Sequence, residues 1–143
     1  MSAIRILEEK LLGNFYSRIS IGDTFDLYFD GYWLIAQKII ASDEELLNTK
    51  LVEFYLPSNE AIDKENIAKS IILSATLRKN ITNVALKPDS SLECIFENGV
   101  SMLFTTDTDI VDWHWAINEQ GNEPYIGCIV GCFNPGEVRI GNC

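Results

Sequence analysis

What this chain has least of is positive charge in its C-terminal part. Residues 88–143 carry nine acidic side chains and one basic one, Arg139, whereas residues 1–87 carry 12 acidic and 10 basic. The net charge is −10 and the isoelectric point near 4.4. A nucleic-acid partner needs Lys and Arg to meet phosphate. An anionic membrane surface needs them equally. Neither partner is expected. Histidine is scarcer still, with His114 the only one. No apolar run approaches the ~20 residues of a membrane-spanning helix. The first ten residues are interrupted by Arg5, Glu8, Glu9 and Lys10, which does not fit a secretory signal. The expected location is the cytoplasm, where Cys94, Cys128, Cys132 and Cys143 would stay reduced. Gly-x4-Gly-Lys-Ser/Thr and Gly-x-Gly-x-x-Gly are both missing, so nothing supports nucleotide binding through those loops. No cofactor is expected.

What is present is an apolar pattern that recurs. Leu12, Tyr16, Ile19 and Ile21 correspond to Leu77, Ile81, Val84 and Leu86 at an offset of 65. Phe25, Leu27 and Phe29 correspond to Leu92, Cys94 and Phe96 at an offset of 67, so a two-residue turn insertion reconciles the copies. Asp30-Gly31 ends the first copy and Asn98-Gly99 the second, both strong hairpin signals. A repeat of this length reads as one supersecondary unit used twice.

Helical spacing is expected over residues 2–12, with Ser2 as N-cap and Gly13 as stop. A second helix is expected from about Asp63 to about Arg78, with Ile67, Ile71, Ala75 and Arg78 on one stripe that Ile72 and Leu73 widen. Strands are expected near 15–21, 24–29, 32–40, 50–56, 81–87, 91–97, 100–105, 110–118, 126–133 and 137–140, with only a turn or short helical piece at 43–48. The fold class is therefore α+β: antiparallel β-sheet built from two repeated helix-plus-meander halves, about 1–60 and 61–143, with two covering helices in a single compact domain. One sheet or two packed sheets remain open alternatives at this point.

Several constellations bear on chemistry. Asp112 and His114 are two apart in an expected strand and would share a face, which could make a proton-transfer unit. A structural pair within the sheet is the favoured reading, and no catalytic residue is assigned. Cys128, Cys132, His114 and Cys143 include ligand types for zinc. Residues four apart on a strand share a face but sit ~13 Å apart, so no metal site is expected. Asp107, Asp109 and Asp112 lack the glycine and terminal Glu of an EF-hand calcium loop. Trp113 and Trp115, with Val111 and Ile117, are expected to face the core together. Trp33, after an exposed turn, is the better candidate for a partner anchor.

The stretches Asp23-Thr-Phe-Asp-Leu-Tyr-Phe-Asp-Gly-Tyr-Trp-Leu and Ser91-Leu-Glu-Cys-Ile-Phe-Glu-Asn-Gly-Val-Ser-Met-Leu resemble those of small acidic immunity proteins of bacterial polymorphic or contact-dependent toxin systems. The resemblance implies a small, acidic, α+β, non-catalytic protein. The leading expectation is therefore an immunity protein that binds and occludes a cognate toxin domain, a basic nuclease by preference. Its partner-binding residues would be Asp107, Asp109, Asp112, His114, Glu119, Glu123, Tyr32 and Trp33. The alternatives are a small-ligand-binding or structural domain with a pocket between the halves, and then a hydrolase using Asp112 and His114.

Overall fold

The computed structural model describes residues 2–55, 64–109 and 112–141. Pro57, the expected Asp63 cap, Val111 and Cys143 lie outside them. Among the described residues the chain is α+β, with three helices and two antiparallel sheets. Helix α1 spans Ala3–Leu11, and strands β1 Arg18–Ile21, β2 Phe25–Tyr28, β3 Tyr32–Ala36 and β4 Ile39–Ala41 follow. Helices α2 Glu44–Tyr55 and α3 Lys64–Ala75 come next. Then run β5 Ile81–Leu86, β6 Leu92–Phe96, β7 Ser101–Phe104, β8 Trp115–Glu119, β9 Cys128–Asn134 and β10 Glu137–Ile140.

The expected division into two repeated halves is not confirmed. Each half does hold a three-strand meander, β1-β2-β3 and β5-β6-β7. The strand after each meander, however, joins the other one. β4 pairs with β7, and β8 pairs with β3. The six-stranded sheet therefore runs β1-β2-β3-β8-β9-β10 and the four-stranded sheet β4-β7-β6-β5. No cut in sequence yields two self-contained units.

Alternation along the strands gives each sheet an inner face. Leu27, Leu34, Ile117 and Val130 form one register row, and Phe25, Ala36, Trp115 and Cys132 another. In the smaller sheet the rows are Ile39, Phe104, Leu92 and Ala41, Met102, Cys94. These residues share one core with Leu7 and Leu11 of α1 and Ile72 and Leu73 of α3. Tyr16 sits at its centre, fully buried. Its ring meets Phe29 and Phe96 edge-on, with centroids 6.2 and 5.8 Å away, and its hydroxyl donates to the Leu73 carbonyl at 2.6 Å. One side chain thus ties both meanders to α3. Burial pushes its phenol pKa far above the usual value, so it stays a neutral donor.

Both hairpin turns form, but in each only the glycine takes positive φ, Gly31 at 84° and Gly99 at 88°. The second is a type I turn whose Gly99 N–H donates to Phe96 O at 2.9 Å. Three other expectations are corrected. Residues 50–55 do not form a strand but continue α2, which begins with Glu44 and Glu45 at the positive end of the helix dipole. The inward face of α3 carries the expected Ile72 and Leu73 with Ala68 and Lys69, and Thr76 extends it past the helix end, whereas Ile71, Ala75 and Arg78 of the expected stripe are exposed. Lys69 can be buried because its ammonium lies 3.6 Å from Glu44 and over the Phe25 ring. Finally, β8 begins only at Trp115, so strand alternation does not reach Trp113. Trp115 and Ile117 enter the main core, whereas Trp113 packs on the opposite face with Ile35, Ala116, Cys128 and Phe133.

That split gives a stability test. Trp115 is fully buried and its indole N–H donates to Ser90 O at 2.8 Å. Trp115→Ala should cost ~3–5 kcal/mol in denaturant unfolding. Trp113→Ala, in the smaller cluster, should cost less. Equal losses would mean that the outer cluster is as integral to folding as the main core.

Candidate functional site

β8 sets the geometry of the candidate residues. It places Asp107, Asp109, Asp112 and His114 before its first residue and Glu119 and Glu123 at or beyond its last. Its four steps span ~13 Å. The acidic candidates therefore fall into two groups rather than one patch.

At the first end, Asp107, Asp109 and Asp112 are exposed in the loop after β7. Asp89 belongs to the same neighbourhood. Its carboxylate accepts the Ser91 N–H at 3.0 Å and the Thr106 hydroxyl at 3.3 Å. The Ser91 amide is the chief cause that holds its pKa below the usual carboxylate value. His114 is not a surface residue. It is 3% exposed, and its Nδ1 lies 3.1 Å from the Thr108 hydroxyl. No hydrogen bond joins it to Asp112 among the described residues. The shared face expected for that pair required a strand, and residues 112–114 are not in one. Burial lowers the His114 pKa.

Around Cys128 and Cys132 the geometry also departs from expectation. A bulge at Ile129, opposite the Ile117–Asn118 step, breaks the alternation of β9. Cys132 faces the main core and Cys128 the outer cluster, so the two do not share a face. Cys128 is disulfide-bonded, which corrects the expectation of four reduced thiols. Cys94 and Cys132 are free and buried, and burial pushes the Cys132 thiol up to about 11. Among the described residues no three His, Cys, Asp or Glu side chains gather as metal ligands.

At the second end the remaining candidates converge. Tyr32 is in register with Glu119, and Trp33 with Asn118. The Tyr32 hydroxyl donates to the Lys10 carbonyl at the end of α1, and its ring stacks on Phe29 at 5.3 Å. Burial is the main cause of its raised phenol pKa. Trp33 is half-buried, 5.3 Å from the Tyr28 ring, and its indole N–H donates to Asn122 O at 3.0 Å. Its N–H and one edge are already used within the chain. Beside it a cleft of about 760 Å³ is lined by Asn14, Phe15, Arg18, Tyr28, Tyr32 and Gln120. Arg18 lies over the Tyr28 ring at 4.2 Å.

The sequence reading missed what organises this end. Asn118 is fully buried, and its amide nitrogen reaches the carbonyls of Asn122, Glu123 and Ile126. With Trp33, it fixes the loop that follows β8. That loop carries Pro124 inside and Tyr125 and Ile126 outside, 52% and 64% exposed. Glu119 and Glu123 flank them, both exposed. The available signal was the Asn118/Asn122 pair bracketing Gly121, with Pro124 two residues further on, which marks an ordered turn more than a chemical site.

Comparison with protein families, curated proteins and solved structures finds no match to this chain.

The buried imidazole generates a pH prediction. The folded His114 pKa lies below its unfolded value of ~6.5, so the unfolded chain binds more protons as pH falls through that range. Stability is therefore complete above ~6.5 and declines below it. Thermal midpoints should drop between about pH 7.5 and about pH 5.5, above the range where ordinary carboxylates titrate. His114→Gln should shrink that drop. An unchanged slope in the variant would assign the pH dependence to another group.

Proposed function

We propose that this chain is a non-catalytic binding protein of the immunity type, which docks on a basic toxin domain and covers its working surface. The observation that carries this reading is the convergence of Tyr32, Trp33, Glu119 and Glu123 on one end of the molecule. There, exposed Tyr125 and Ile126 stand among carboxylates on a loop held from beneath. Exposed aromatic and aliphatic groups within a charged rim are the anatomy of a protein-binding patch. The whole chain adds a field of one sign. In the C-terminal part the one cation, Arg139, already lies 3.1 Å from Glu137 and over the Phe133 ring. Uncompensated carboxylates would speed encounter with a basic partner.

A second reading has its own observation. The cleft beside the first hairpin has aromatic walls and convergent polar groups from Asn14, Arg18 and Gln120. A small planar ligand would find stacking and hydrogen-bonding groups there. The cleft is formed by the first hairpin, the segment after α1 and Gln120, so most of its lining comes from residues 1–60 and one residue from 61–143.

The binding reading is tested by titrating inhibition. The protein captured by this chain from its native host is purified, and its activity is measured against added chain. Activity should vanish near one equivalent. Asn or Gln at Asp107, Asp109, Asp112, Glu119 and Glu123 should slow association, and added salt should mimic the loss. Full activity of the partner in excess chain would sink the occlusion mechanism.

A further inference from the structure

We propose that the Glu123–Ile126 turn is the anchor of this chain on its protein partner. Tyr125 and Ile126 are the inserted side chains, and the receiving site is an apolar pocket rimmed by Lys or Arg. This deepens the binding reading above and rests on it.

Tyr125 and Ile126 are adjacent, large and mostly in water, at 52% and 64% exposure. Two such neighbours at a loop tip give up hydration on binding and gain contact area. Scattered exposed apolar residues need no explanation. What separates this pair from Leu46, 62% exposed on α2, is how it is held.

The holding is by buried polar bonds. Asn118 lies under the loop with no exposure and reaches three of its carbonyls. Trp33 Nε1 donates to the Asn122 carbonyl from the neighbouring strand at 3.0 Å. The Ile126 N–H donates to Glu123 O at 2.9 Å, and the Glu119 N–H to Gly127 O at 3.1 Å. Gly127 has φ +78°, and a Cβ there would come within 2.7 Å of the Asn122 side chain. The Tyr125 ring leans on Phe133 with centroids 5.3 Å apart. Ordering cost is therefore met on folding rather than on binding, which is how a rigid anchor gains affinity.

Charge selects the class of partner. Glu119 and Glu123 are exposed beside the anchor, and Asp30 lies in the hairpin wall of the adjoining cleft. Carboxylates around an inserting aromatic–aliphatic pair oppose an anionic lipid surface. They complement Lys or Arg around a protein pocket.

The test places a photo-crosslinking benzoylphenylalanine at position 125 or 126 of the full chain in its native host, with Leu46 and Ile71 as exposed control positions. Positions 125 and 126 should give an adduct with one basic protein, and the controls should not. With that protein purified, Tyr125→Ala and Ile126→Ser should each weaken binding about 30-fold or more. Their unfolding midpoints should match the parent. Gly127→Ala removes neither Tyr125 nor Ile126 but crowds Asn122 and strains the turn that holds them, so it should also raise the dissociation rate. Adducts at the controls alone, unchanged affinity in both anchor variants, or Ile126-dependent adhesion to phosphatidylcholine–phosphatidylglycerol vesicles would each overturn the proposal. Its failure is separable from that of occlusion. Inhibition that survives Tyr125→Ala removes the anchor only. A crosslinked partner whose activity the chain leaves untouched removes occlusion only.

Discussion

The constraint on which the rest depends is the destination of two strands. β4 leaves the first meander and pairs with β7, and β8 leaves the second and pairs with β3. Because each sheet takes a strand from the other half, neither half can close its hydrogen-bond ladder alone. The inner faces then meet over one core, and Tyr16 bridges it by touching Phe29 and Phe96 while donating to α3. A buried phenol that binds three elements at once is costly to misplace, since each lost partner leaves a polar group or a gap. The exchange also makes β8 a central strand, third from one edge and fourth from the other. Its two ends thereby become the two ends of the outer sheet face.

Much of this architecture was legible because its signals are local. Hairpins announce themselves through Asp-Gly and Asn-Gly, and β6 through its alternation, in which Leu92, Cys94 and Phe96 are buried. The strand exchange was not legible, since the choice of partner for β4 or β8 depends on contacts distant in sequence. The segment 50–56 misled because Val, Phe and Tyr favour strands on propensity alone, whereas the preceding Glu44-Glu45-Leu46-Leu47 had already nucleated a helix. The α3 stripe was misjudged in part, since Ile72 and Leu73 are buried as expected while Ile71 and Ala75 are exposed. Ile71 looks like core, and Lys69 does not, until Glu44 and Phe25 supply the ammonium with partners.

The candidate site was half legible. Tyr32 and Trp33 stand out after a hairpin turn, and Glu119 and Glu123 stand out by charge. Asn118 could not be found that way. Its role comes from complete burial under a loop, and a sequence does not show which of many Asn residues lies beneath a turn. Tyr125 and Ile126 were hidden for the converse reason, because two apolar residues in a Gly- and Pro-marked loop resemble the start of the next strand. The acidic group at 107–112 was visible as charge, but its separation from the other candidates required knowing where β8 begins.

That separation implies a division of labour in the proposed complex. The carboxylates before β8 are set apart from the anchor by the strand itself, whose ~13 Å length exceeds the ~8 Å Debye length of physiological salt. At that ionic strength they contribute little to the docked contact itself. They still enlarge the field that an approaching basic domain meets at longer range in dilute salt, so their effect belongs to encounter. Glu119 ends β8 and Glu123 opens the anchor turn, and their pairing with a partner cation would be partly desolvated once the anchor is seated. Their effect would then extend to the lifetime of the complex. A single strand, with acids before it and a pinned loop after it, would thus set association at one end and residence at the other.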